Sequence, residues 1–188
     1  PPASMVTGVL LFVLILLFAS FCAPAASLTG SSNTYLQSRG SAGGANLMPL
    51  YEYLDFNVQN LGSESVSVHF GGWVGYDLQD DSFGNDKKKG SDLQYGYVSY
   101  RAKERSAVVN LGRVMVFEGV AAERIDGIYA RTDLMKGFEI SAFGGAPVET
   151  NDDLLGNSTI YGGRLSHHYE GLYTIGLSYL YENKDNNE

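Results

Sequence analysis

The sequence is poor in the features that usually stabilise or equip an exported domain. It has one cysteine, Cys22, which lies at the end of an apolar N-terminal run. Without a second thiol there is no disulfide framework and no thiolate metal site. Proline is scarce. No stretch carries the apolar period of an amphipathic helix of useful length. Basic residues are outnumbered, Lys+Arg 13 against Asp+Glu 21, which argues against a nucleic-acid partner. No phosphate loop, haem-attachment motif or nucleophile elbow occurs. None of the three histidines sits in a recognisable Ser/His/Asp arrangement. His167 and His168 are adjacent, so on a strand they point to opposite faces, and no third ligand has metal-site spacing. The acidic run from Asp77 to Asp86 lacks EF-hand spacing and reads as a solvated loop. Lys87–Lys89 reads as a loop tip that lipopolysaccharide phosphates could contact. Asn157-Ser158-Thr159 matches a glycosylation triplet that arises by chance. The expectation is a chain that is not an enzyme and holds no cofactor or metal.

The N-terminus reads as an export signal. Gly8 to Phe21 is apolar throughout but shorter than the roughly 20 residues a spanning helix needs. Ala23-Pro24-Ala25 fits the small-x-small cleavage rule. Residues 1–25 are expected to be removed, Cys22 with them, leaving 26–188 as one exported domain.

That domain is written in a period of two. In "SVSVHFGGWVGYDLQ", Val66, Val68, Phe70, Val74 and Tyr76 share one parity, and Ser67, His69, Trp73 and Asp77 share the other. The strand is about twice the usual length of roughly 5–6 residues. Leu54, Phe56 and Val58 oppose Asp55, Asn57 and Gln59 in the same way. Ile140 opposes Glu139 and Ser141. Ile175, Leu177 and Tyr179 oppose Thr174, Gly176 and Ser178. In "AVVNLGRVMVF" the phase shifts around Gly112, which reads as a bulge. The connections alternate. Short turns fall at 61–64, 103–106, 135–137 and 169–171, and longer ones at 40–49, 79–92, 118–124 and 147–157.

Long strands, apolar on one side and polar on the other, suit a bilayer. There every backbone N–H and C=O must be paired, so only helices and closed barrels span. A tilted strand crosses in about 9–11 residues. Short turns at one end and long loops at the other are the layout of outer-membrane barrels. The predicted fold is all-β: an antiparallel up-and-down transmembrane β-barrel with about eight strands.

The segments "GGWVGYDLQDDS", "DLQYGYVSYRAK", "AVVNLGRVMVFEG", "ERIDGIYARTDL", "GFEISAFGGAPVET" and "IYGGRLSH" resemble the N-terminal part of porin-like outer-membrane proteins of Gram-negative bacteria. The similarity includes Leu111–Arg113, Gly119, Asp126–Gly127 and Phe143–Pro147. It implies a passive channel for ions or small polar solutes, located in the cell outer membrane. Two arrangements fit: the first strands of a larger barrel, or a closed eight-stranded barrel without a pore. A structural sheath around a multihaem cytochrome is the alternative function, and a homo-oligomer is a further partner state. The polar parity gives Asp55, Asn57, His69, Asp77, Arg101, Arg113, Arg131, Glu139, Arg164 and His168 as candidate pore-lining residues. Arg113 belongs there only if the bulge is real. Arg101 and Arg164 are the best candidates for a constriction. The apolar parity gives Leu54, Phe56, Val66, Val68, Phe70, Val74, Ile140, Ile175, Leu177 and Tyr179 as candidate lipid-facing residues.

Overall fold

The computed structural model describes residues 26–40, 46–79, 89–102, 106–148 and 158–183. The expected signal, the acidic loop from Asp80 with Lys87 and Lys88, and Asn157 lie outside them. The chain is all-β. Its elements are β1 (Ser27–Leu36), β2 (Arg39–Gly40), β3 (Asn46–Leu47), β4 (Pro49–Gln59), β5 (Val66–Asp77), β6 (Lys89–Ala102), β7 (Ala107–Glu118), β8 (Ala121–Asp133), β9 (Phe138–Pro147), β10 (Thr159–Tyr169) and β11 (Tyr173–Asn183). Among the described residues, no helix is long and apolar enough to cross a membrane.

Among the described residues, nine strands form one antiparallel sheet in the order β1-β4-β5-β6-β7-β8-β9-β10-β11, while β2 and β3 form a separate pair. Every strand of the large sheet has 10 to 14 residues. The meander is as the sequence predicts, with nine strands for about eight. The expected closure is not found among the described residues. Among the described residues β1 and β11 are the two edges of an open sheet, so their outer backbone groups have no ladder partner.

The strands are offset from one another. Following partners across the sheet, Tyr100, two residues from the short-turn end of β6, leads through Val109, Ala130, Ala142 and Gly163 to Tyr179, six residues from the short-turn end of β11. Such stagger belongs to a sheet whose strands tilt as it curves.

Parity sorts the side chains cleanly. One face, the outer face, carries an aliphatic band that includes Val74, Val98, Leu111, Ile128, Ile140, Leu165, Ile175 and Leu177, all exposed. Exposure reaches 80% at Leu177. Most aromatic rings on this face lie near the strand ends, while Phe56, Phe70 and Tyr179 sit further in. Tyr100, Phe138, Tyr169 and Tyr173 lie toward the short turns, and Tyr76, Tyr161 and Tyr181 toward the other end. Tyr161 stacks on Tyr181 at 4.9 Å, and Tyr169 on Tyr173 at 5.8 Å. Charged exceptions interrupt the band: Glu52, whose carboxylate accepts hydrogen bonds from Ser32 and Thr34 on that same face, and the Arg113–Asp126 pair on β7 and β8.

The opposite, inner face is where the core sits, and one hairpin makes it. The 118–124 segment, expected as a long loop, is a two-residue turn at Gly119 and Val120, with Glu118 paired to Ala121. Gly119 has φ +63°, the left-handed conformation tight hairpins use. The small residues of "EGVAAER" read as loop but continue the ladder. The hairpin then folds inward. Tyr129 lies eight residues along β8 from Ala121, about 27 Å in an extended strand. Its hydroxyl nevertheless donates to Glu118 Oε1 at 2.5 Å. A Cβ added to Gly119 would lie 2.6 Å from Ser178 Cβ, four strands away in the sheet.

The bend follows a line of glycines. Gly112 pairs with Gly127 and Gly127 with Gly145, and a Cβ on Gly127 would lie 2.7 Å from the Gly145 Cα. Bare backbone lets the strands crowd where the sheet turns. The folded tip buries Val114, Val116, Ala121 and Ile125 against Phe143 and Ile160, with Tyr97, Tyr129 and Leu180 alongside. So the inner face is not polar throughout: its apolar part is the seat of the hairpin.

Candidate functional site: the inner face of the sheet

The β ladder places three cations in one line. Arg101 pairs with Val108, Val108 with Arg131, Arg131 with Ser141, Ser141 with Arg164, and Arg164 with Ser178. Alternate strands thus supply an arginine and the strands between supply short side chains. Strands two apart are roughly 10 Å apart, so the guanidiniums line one rung without colliding. Arg131 lies 3.6 Å from Glu139. Arg164 Nη1 would be 3.6 Å from a Cβ on Gly119, which puts this arginine beside the folded tip.

A second cluster lies on β4, β5 and β6. Asp55, Gly71 and Tyr95 are partners in one row. The Tyr95 ring crosses Gly71, where an added Cβ would meet it at 2.5 Å, and its hydroxyl donates to Asp55 Oδ2. Asp55 Oδ1 accepts from Asn57 Nδ2 at 2.9 Å, which leaves Asn57 Oδ1 facing His69 Nδ1 at 2.6 Å. With Nδ1 donating, Nε2 is the acceptor for the Ser67 hydroxyl at 2.9 Å. Tyr97 stacks on the imidazole at 4.8 Å and fixes the ring plane.

Asn57, His69 and Ser67 thus stand in the order of an orienting group, a base and a hydroxyl, which sequence spacing did not reveal. The signal was available as Ser67 and His69 two apart on one strand, but Asn57 joins them only through the register. Ser67 pairs with Gln59 on one side and Ser99 on the other. The local N–H groups are therefore committed to the ladder rather than turned toward a developing oxyanion.

A third group is aromatic. Tyr35, Tyr51, Tyr53 and Trp73 share the inner parity at the far end of β1, β4 and β5. Tyr35 meets Tyr53 edge-on at 5.6 Å, Tyr53 lies 6.1 Å from Tyr51, and Tyr51 meets Trp73 at 5.7 Å. The polar parity of the sequence contains these rings, but alternation alone did not single them out.

Of the candidate pore-lining residues, Asp55, Asn57, His69, Arg101, Arg131, Glu139, Arg164 and His168 lie on the inner face. Two stand apart. Arg113 does not lie on that face. The register runs through Gly112 without a shift, so Arg113 shares the face of Leu111, Met115 and Phe117 and forks onto Asp126 at 2.7 Å. The register shift lies instead at Gly71/Gly72, opposite β6. Asp77 is on the inner parity but fully buried, and its Oδ1 accepts from the Met48 and Gln79 backbone N–H groups. His168 bonds Thr174 at 3.0 Å, whereas His167 packs on Phe138 across the sheet plane. Leu54, Phe56, Val66, Val68, Phe70, Val74, Ile140, Ile175, Leu177 and Tyr179 all lie on the outer face. Among the described residues no group of acidic, His or Cys side chains could hold a metal.

No protein-family model, curated protein or solved structure matches the chain.

Proposed function

We propose that this chain forms the wall of an outer-membrane β-barrel channel through which ions or small polar solutes diffuse passively. The observation that carries the reading is the opposition of the two faces of one sheet. Outside lies an exposed aliphatic band edged by tyrosines, the pattern of a lipid-facing belt with aromatic girdles. Inside lies a rung of arginines with Glu139 beside it and Asp55 further along the same face. In a bilayer the free sides of β1 and β11 must find strand partners, so the reading requires the sheet to close. The folded β7–β8 hairpin narrows the lumen beside Arg164. It also occupies space that a sheathed cytochrome would need, which favours the channel over the sheath. No chemistry is assigned to the Ser67 hydroxyl, because its surroundings supply no oxyanion donor. Glu52, Ser32 and Thr34 make the β1–β4 flank a polar part of the outer face, and in a homo-oligomer it is the flank to meet a second copy.

The test is conductance of the full chain in planar bilayers. Arg101→Ser with Arg164→Ser should shift the reversal potential toward cation preference at low salt, and the shift should shrink as salt rises. Unchanged reversal potentials would remove the arginines from a conducting lumen. A wild-type chain that never conducts would end the channel reading.

A further inference from the structure

The aromatic group on β1, β4 and β5 has no part in the charged rung, yet it faces the same interior. It borders a depression of about 440 Å³ lined by Asn33, Tyr35, Gln37, Tyr51 and Tyr53. That volume is in the range of small-molecule sites. We infer that this depression binds neutral saccharide rings.

Three features point to that ligand class. The rings form a continuous run from Tyr35 through Tyr53 and Tyr51 to Trp73. A pyranose has an apolar C–H face that rests on an aromatic ring while its hydroxyl rim stays wet. Tyrosine and tryptophan have the same amphipathic character. The remaining lining groups are carboxamides and phenol hydroxyls, which both donate and accept, as sugar hydroxyls do. None of the five lining side chains is charged. An anion or cation entering here would lose hydration without gaining a counter-charge. Tyr35 is 52% exposed, so the run is reachable from solvent. The arrangement also gives the neutral solute a path apart from the arginine rung on β6, β8 and β10.

The inference deepens the channel reading and rests on it for transport, but binding is measured apart from conductance. Trp73 is the sole tryptophan, so its emission in the full chain in detergent micelles reports on this group directly. Titration with maltohexaose, a neutral gluco-oligosaccharide, should give a saturable change. Tyr35→Ala should weaken binding by about tenfold or more, the ratio expected for losing one good contact. Tyr35→Phe should keep most of the affinity. Gln37→Ala lies outside the strands and gives a second reading that does not depend on the strand variants folding; it should weaken binding severalfold. Arg101→Ser should leave binding unchanged. No saturable response, or a response indifferent to both Tyr35→Ala and Gln37→Ala, overturns the inference. Saturation by sodium benzoate but not by maltohexaose overturns it in favour of an aromatic solute. Conductance without maltohexaose binding leaves the channel standing and removes the saccharide. Saturable binding without conductance keeps the saccharide and removes the channel.

Discussion

Gly71 is the position where one atom decides an arrangement. The Tyr95 ring lies across it to reach Asp55, and the Asp55 carboxylate in turn fixes the Asn57 amide that holds His69. Gly71→Ala puts a methyl group where the ring is. The ring must swing out, and the hydrogen bond to a charged acceptor is lost, costing about 1.5–3 kcal/mol. Tyr95→Phe should cost a similar amount while keeping the ring over Gly71. Urea titration of the folded chain in detergent checks both. If Gly71→Ala is neutral while Tyr95→Phe is not, the ring has another route to Asp55 and the close approach is incidental. Asp77 is a residue of the other kind: its buried carboxylate accepts from two backbone N–H groups, so it secures the β5 end and not the rung.

At the scale of elements, the strands and the hairpin make different demands. Val68 and Ser67 are neighbours on β5 with opposite parity. If the outer face meets lipid, Val68→Arg should cost about 2–4 kcal/mol near the midplane. Ser67→Arg should be mild by comparison. Equal tolerance of the two, measured as yield of heat-modifiable folded protein, would mean that the outer face is not in lipid. The β7–β8 hairpin depends on its own small core. Ile125 is wholly buried beneath the tip, and Ile125→Ala should cost about 2–5 kcal/mol. Arg124, next to it, is held at 2.6 Å from Asp92 with little exposure. Loosening the tip with Ile125→Ala or Tyr129→Phe should therefore speed trypsin cleavage after Arg124. Cleavage at the wild-type rate in both variants would show that the tip is held by something other than this core.

For the whole molecule, the outer face and the two edges of the described sheet set its behaviour in water. A sheet with an exposed aliphatic face and, among the described residues, two edges without a ladder partner is a poor solute in water, because both features recruit other chains. The chain should therefore require detergent or lipid to stay monodisperse. Circular dichroism should read strand with and without mild heating in detergent. A stable monomer in plain buffer would set the membrane reading aside, since it would mean that the outer face tolerates water.

Strand identity, length and facing were legible in the sequence because each depends on a local period. Alternation over ten or more residues fixes which side chains share a face, and β4, β5, β9, β10 and β11 follow it with bounds close to those expected. What the period could not carry was anything set between strands. The arginine rung exists because register aligns Arg101, Arg131 and Arg164, which are thirty residues or more apart in the chain. The inward hairpin was missed because its small residues read as loop and because Val114, Val116 and Ile125 are apolar on the polar parity. They make sense only once the tip is folded over Phe143 and Ile160. Arg113 was ambiguous for the same reason: its side depends on whether the ladder slips at Gly112, and only the pairing with β6 and β8 settles that it does not. Sequence determined the two faces of this protein through the backbone's two-residue repeat. The tertiary structure decided which residues meet on them, since those contacts come from register and from a bend made where glycine backbones crowd together.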